Sequence, residues 1–258
     1  MRMSAATVIV TGASRGIGRA AAIRLARDFA QVAIVARSAE SLAETAARIR
    51  EAGAEALVLN EDLREPEAAR RIVARTLERF GRIDVLVNVA GAVAPTDLFS
   101  MSDEEWDDGL ALKLHGARRL TIAAWDALKQ SRGAVVLTSG ATALAPKAAM
   151  AAVGTVNAAV NALAKAFSER GVVDGVQVNS VLPGPVVTDR RRAMLVKYAQ
   201  ARGLTLEDGM LRYAAETGIS RLGQPEEVGD LIAFLVSPAA RWMTGAAVRM
   251  DGGEAGSV

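Results

Sequence analysis

The stretch TGASRGIG, residues 11–18, carries the first chemistry legible in this chain. Gly12, Gly16 and Gly18 stand in the spacing Gly-x-x-x-Gly-x-Gly, after the apolar run TVIVT and before the helix-forming run RAAAIRLARDF. Glycines there permit a tight turn and a close approach to the backbone, and a helix N-terminus offers N–H groups and partial positive charge. The chemistry predicted is a seat for a pyrophosphate, with Ser14, Arg15 and Ile17 completing the loop. A plain strand-to-helix turn is the alternative. The next apolar run ends at Ala36-Arg37-Ser38. A dinucleotide site that selects NAD usually places a carboxylate there, against the ribose hydroxyls. With the carboxylate absent, the guanidiniums of Arg15 and Arg37 suit a 2′-phosphate, gripped by forked, charge-assisted bonds. NADP(H) is the expected cofactor and NAD(H) the second choice.

Other chemistries are excluded by composition. There is no cysteine, hence no thiolate nucleophile, no thiolate metal site and no disulfide. His115 is the sole histidine, which rules out a histidine metal cluster, and no metal site is expected. Thirty-one basic residues against 29 acidic ones leave little net charge, which argues against nucleic-acid or membrane partners. A basic run, Arg190-Arg191-Arg192 with Lys197 and Arg202 beyond, is either a solvated surface or a device that favours an anionic small-molecule substrate.

The elements that must position these groups follow from periodicity. Six β-branched runs (7–11, 31–36, 55–60, 84–88, 134–139 and 176–181) alternate with alanine-rich, charged segments of helical spacing. Strand runs this apolar fit a parallel sheet buried on both faces with crossover helices. The fold class is α/β, a Rossmann-type doubly wound parallel sheet of about seven strands flanked by helices. One domain is expected over 1–258, because no repeat, low-complexity tract or linker interrupts it. Residues 185–224, polar and basic, are too long for an ordinary connection and suggest a lid on the substrate side. Met194, Leu195 and Tyr198 have the spacing of a covering helix. No apolar run approaches a membrane span and none resembles a signal peptide, so a soluble, cytoplasmic protein is expected.

With these motifs in order, the sequence resembles the short-chain dehydrogenase/reductase family over nearly its whole length, including its 3-ketoacyl-carrier-protein reductase-like members. TGASRGIG matches the family's cofactor loop and Asp62-Leu63 its adenine-facing pair. Asn88-Val89-Ala90-Gly91 matches the family's Asn-Asn-Ala-Gly, with valine at the second position. VNSVLPGPVVTD, 178–189, matches the segment whose Pro183, Gly184, Val186 and Thr188 would flank a nicotinamide. The resemblance implies a homotetramer built through the long fourth and fifth helices; a hetero-oligomer with an active paralogue is the second arrangement.

The family's catalytic tetrad of Asn, Ser, Tyr and Lys maps onto Lys113, Gly140, Val153 and Asn157, with Ser139 one place before the serine position. None of the four keeps its usual residue. Val153 cannot donate a proton, and general acid catalysis contributes about 10²–10⁴ in rate. Helical spacing puts Lys113 on a stripe with Leu110, Leu114 and Ala117, and Asn157 with Val153, Val156, Val160 and Ala164. Two readings stay open. Lys113 snorkels while Asn157 caps a backbone carbonyl, or the two have exchanged places and a desolvated Lys113 donates the proton. Ser139 either bonds a substrate carbonyl or satisfies local backbone, and His115 is a packing or interface residue. The tentative catalytic set is Lys113, Ser139 and Asn157. The expected function is an NADP(H)-dependent oxidoreductase of a carbonyl or alcohol with an atypical relay. The alternative is a nucleotide-binding pseudoenzyme.

Overall fold

A computed structural model describes residues 3–93 and 96–256. Seven strands, β1 (Met3–Thr11), β2 (Phe29–Ala36), β3 (Glu55–Asn60), β4 (Val85–Asn88), β5 (Ala134–Thr138), β6 (Gln177–Pro183) and β7 (Ala247–Met250), form one sheet in the order β3-β2-β1-β4-β5-β6-β7. Every neighbouring pair is parallel. The chain winds outward from β1 to β3, then returns to β4 and proceeds the other way. The order therefore reverses between β1 and β4, and a crevice opens beyond their carboxyl ends.

Alternation along the strands divides the core into two layers, because successive side chains leave a strand on opposite faces. Val8, Val10, Val32 and Ile34 pack with α1 (Gly16–Leu25), α2 (Ala39–Glu51) and α9 (Pro225–Leu235). Ile9, Ala33, Val35 and Leu86 pack with α3 (Ala68–Phe80), α5 (Ala117–Ser131) and α6 (Ala151–Asp174). The stretch AAVGTVNAAV opens α6, and Val160 and Ala164 enter the second layer. By length and composition the helix over 148–174 is apolar enough to cross a membrane, contrary to the expectation from sequence. Alanines supply much of that hydropathy, and here its apolar stripe lies against the sheet.

Two differences from the expected pattern matter for the site. The segment Leu110–Gly116, between α4 (Asp103–Gly109) and α5, is π-helical. The stripe drawn through Leu110, Lys113, Leu114 and Ala117 assumed 3.6 residues per turn and does not hold. Leu110 packs toward Val93 and Val156, whereas Leu114 and Ala117 belong to the layer under the sheet. The excursion 185–224 folds as α7 (Asp189–Gln200) and α8 (Leu206–Glu216) around its own small core of Leu195, Ala214, Ile219 and Leu222. A parallel bridge between Val186 and Gly223 closes its base.

Candidate active site

The crevice at the switch point is a cleft of about 550 Å³. Its floor is the glycine loop. Gly12 has φ +67°, and a Cβ there would lie 3.0 Å from the backbone of Ala90. A Cβ on Gly18 would lie 2.2 Å from the Gly12 carbonyl, and one on Gly16 would meet Thr188 at 3.1 Å. These glycines bring three chain segments to one place. Arg15, the residue before α1, makes no capping bond with its side chain, so the N–H groups of the first turn remain for a ligand. Ser14, Arg15 and Ile17 line this end, with Arg37, Asp62, Leu63, Ala90 and Gly91 further along. A bare cradle of N–H groups and glycine faces, with two guanidiniums beyond it, fits a dinucleotide carrying an extra phosphate. Arg37 stands 3.8 Å from the Asp62 carboxylate, which offsets part of its charge.

Some expected cofactor residues stand behind the cleft rather than in it. Asn88 is buried and its amide donates to Thr121 Oγ1 at 3.2 Å, tying β4 to α5. Thr11 Oγ1 accepts from the N–H groups of Val89 and Ala90, each at 3.0 Å, and fixes the wall they form. Gly184 is pressed on Asp251, where a Cβ would come within 2.7 Å. Pro183 ends β6, and Val186 is buried at the base of the lid. Of that segment, Thr188 reaches the cleft lining. The others shape the turn that delivers it.

The tetrad corner is built from three separate elements. Lys113, in the π-helical segment, lays its stem over Gly91, where a Cβ would meet Lys113 Cδ at 2.9 Å. Its ammonium donates to Ser139 O at 3.0 Å and to Asn157 Oδ1 on α6. Asn157 in turn donates from Nδ2 to Thr142 Oγ1 at 2.8 Å, so both ends of its amide are engaged. A Cβ on Gly140 would fall 2.6 Å from that same Nδ2. The serine position is thus bare where the Asn157 amide needs room: 113, 140 and 157 are one coupled set. The side chain of Lys113 is half-buried, but protein surrounds its ammonium. Desolvation, reinforced by the charge of Arg190, lowers its pKa from 10.5 to about 8.

The remaining candidates are engaged elsewhere. Ser139 is buried and its hydroxyl donates to the Asn157 carbonyl on α6 at 2.7 Å, a bond to a distant helix rather than to the local backbone expected from sequence. Val153 packs among Val93, Met101, Trp106 and Leu110. Tyr198 donates to Glu216 at 2.6 Å and Tyr213 accepts from Arg191 at 2.9 Å, which keeps both tyrosines within the lid. His115 is half-buried, and its Nδ1 is enclosed with no hydrogen-bond partner among the described residues. Of the three consecutive arginines at 190–192, Arg190 lines the cleft and donates from Nη2 to Val93 O at 2.9 Å. Thr142 and the role of Arg190 were not singled out from sequence. An arginine run gives no sign of which member turns inward, and Thr142 acts only through a side chain on another element.

Comparison with known proteins finds relatives over nearly the whole chain. The profile of a family described as enoyl-(acyl carrier protein) reductase matches residues 12–254. The short-chain reductase protein NovJ of Streptomyces niveus is 33% identical over 245 residues, covering 95% of this chain and 92% of its own. L-Rhamnose 1-dehydrogenase (NAD(P)(+)) of Sphingomonas sp. (strain SKA58) is 33% identical over 250 residues, 96% of this chain and 95% of that protein. L-Sorbose reductase from Gluconobacter frateurii, solved with NADPH and L-sorbose, superposes with a TM-score of 0.95 at 27% identity, covering 100% of this chain and 99% of the other.

Proposed function

The chain belongs to the short-chain dehydrogenase/reductase family, and on that premise we propose that it is an NADP(H)-dependent oxidoreductase of a carbonyl or alcohol whose proton relay is rebuilt around Lys113. The glycine loop would hold the pyrophosphate, Arg15 and Arg37 the 2′-phosphate, Asp62 and Leu63 the adenine, and Thr188 the nicotinamide end. When bound, the nicotinamide supplies hydride chemistry. The chain must then place a proton donor beside the carbonyl oxygen, and Lys113 is the acid at that corner. Two of its three N–H groups are fixed by Ser139 O and Asn157 Oδ1, which would leave the third for a substrate oxygen. Asn157 is a positioning residue: Thr142 orients its amide so that the oxygen meets the ammonium. The pKa of about 8 leaves Lys113 mostly protonated at neutral pH yet able to release its proton.

The observation that carries this reading is the direct contact between Lys113 and Asn157, with Gly140 leaving room for it. The test is NADPH oxidation over a panel of carbonyl compounds, with Lys113→Met beside the wild type. Turnover that Lys113→Met abolishes, with NADPH affinity held within a few-fold, supports the relay; a fully active variant refutes it.

A second reading is a nucleotide-binding pseudoenzyme, a sensor or the partner subunit of an active paralogue. The apolar packing of Val153 and the inward hydroxyl of Ser139 favour it, because neither group of the usual carbonyl-binding pair is offered to a substrate. Tight NADPH binding with no turnover across the panel would select it. Under both readings we place the protein in the cytoplasm as a homotetramer or a hetero-oligomer.

A further inference from the structure

We propose that Lys113 and Arg190 form a two-cation subsite in which Arg190 bonds a carboxylate of the substrate beside the reacting carbon, while the ammonium of Lys113, whose third N–H serves the reacting oxygen, helps balance its charge. The inference rests on the oxidoreductase reading for its location and deepens it by naming the substrate class.

The argument starts from charge balance. Seventeen ion pairs join the described residues, and neither Lys113 nor Arg190 belongs to any of them. The contacts that hold them are neutral: Ser139 O and Asn157 Oδ1 for the ammonium, Val93 O for the guanidinium. Other arginines of this chain are matched by a carboxylate, as Arg24 is by Asp28 and Asp230 and Arg64 by Asp108; Arg190 is exposed and has no such partner among the described residues. An enclosed ammonium without a counter-ion carries an unrepaid desolvation cost, and a second cation in electrostatic reach adds to it. An arriving anion removes both penalties at once.

The geometry says where such an anion would sit. Arg190 reaches from the start of α7 to Val93 on the loop after β4, and the stem of Lys113 covers Gly91, two residues earlier on that loop. Arg190 uses Nη2 on Val93, which leaves the other donors of its planar fork for a carboxylate. Arg191 and Arg192 do not share this role. Arg191 stacks over Tyr213 at 5.7 Å, and Arg192 lies along the lid helices, away from the tetrad corner. The same two cations could instead serve a phosphate of the cofactor, and the experiment separates the two sources.

The probes are 2-oxobutanoate, 3-oxobutanoate and 4-oxopentanoate, each paired with its primary amide, which keeps the carbonyl and the size but not the charge. Each is titrated by calorimetry into NADPH-saturated protein, so the readout does not depend on turnover. At the best-fitting spacing the carboxylate should bind at least about tenfold more tightly than its amide, as charge-assisted bonds allow. Arg190→Gln should reduce that ratio to about threefold or less, and Arg190→Lys should restore part of it. Circular dichroism and NADPH titration of each variant check folding. Equal binding of acid and amide at all three spacings overturns the proposal. So does an Arg190→Gln variant that loses NADPH affinity while keeping the ratio, because the anion is then the cofactor's. If neutral ketones are reduced but acids are not preferred, the oxidoreductase reading stands and the subsite falls. If acids bind selectively without any turnover, the subsite stands and that reading falls.

Discussion

At the scale of single residues, Lys113 makes a claim that pH can test. Under the proposed relay carbonyl reduction needs the protonated ammonium, so its rate should fall as pH rises through about 8, and Lys113→Met should lose both the rate and that inflection. Stability gives a second sign. The folded-state pKa lies below the ordinary 10.5, so between about 8 and 10.5 the unfolded chain binds more protons at this group than the folded one. This contribution to stability therefore rises with pH across that window. Urea melts at both ends should show a rise in the wild type that is missing from Lys113→Met, and an identical slope would place the group in water. Arg37 bears on cofactor choice. Arg37→Ala should weaken NADPH by about 1–3 kcal/mol, toward the lower end because Asp62 stands 3.8 Å away, and leave NADH nearly unchanged. Fluorescence titration of both nucleotides checks it, and equal loss for both would remove the 2′-phosphate assignment. These two residues also mark what sequence can and cannot deliver. Arg37 could be assigned a role from sequence because that role depends on the strand it follows. The contact of Lys113 with Asn157 joins positions 44 apart, and only the folded sheet brings them together.

At the scale of elements, the strands and the glycine turn were legible because burial on both faces leaves unbroken β-branched runs. The π-helical stretch Leu110–Gly116 was not, since reading a stripe at 3.6 residues per turn presupposes the geometry that this segment departs from. The excursion over 185–224 was legible as one, but its two helices were not separable from one basic, polar run. Their packing around Leu195, which is fully buried, makes the lid a small cooperative unit apart from the sheet. Leu195→Ala should cost about 2–5 kcal/mol within that unit, as truncations of buried leucines do. The loss should appear as local opening. Hydrogen exchange of α7 and α8 should accelerate while the amides of β1 and β4 keep their protection, and substrate KM should rise with NADPH affinity largely retained. Uniform acceleration through the sheet would show that the lid has no separate stability.

At the scale of the whole molecule, the long helices carry both the site and exposed apolar surface. Ile122 on α5 and Val172 and Val173 at the end of α6 are exposed, and Trp242 is 99% exposed. Sedimentation should give four times the 27.0 kDa chain mass, and a monomer would break the link between these helices and assembly. The tetrad positions are spread over the same framework: Lys113 before α5, Gly140 after β5, Val153 and Asn157 on α6. Restoring the usual tetrad therefore has to be done as a set. Gly140→Ser alone pushes on the Asn157 amide and should cost about 1 kcal/mol by disturbing its bonds to Thr142 and Lys113. Val153→Tyr alone adds bulk to the cluster of Val93, Met101, Trp106 and Leu110, at about 1–3 kcal/mol. With Asn157→Lys, the amide that blocks a serine side chain is gone. Lys113→Asn then removes the second ammonium that would repel the new one. If only proton donation is lacking, the fourfold variant should raise reduction of a neutral ketone by about 10²–10⁴ where slow hydride transfer already occurs. The comparison requires unchanged oligomer mass and NADPH affinity, because Val153 and Asn157 lie on α6, a helix expected to help hold the assembly together. A wild type already turning over at the variant's rate would mean that Lys113 does the tyrosine's work unaided. A folded, NADPH-binding variant with no gain would mean that the site has lost its substrate as well as its acid.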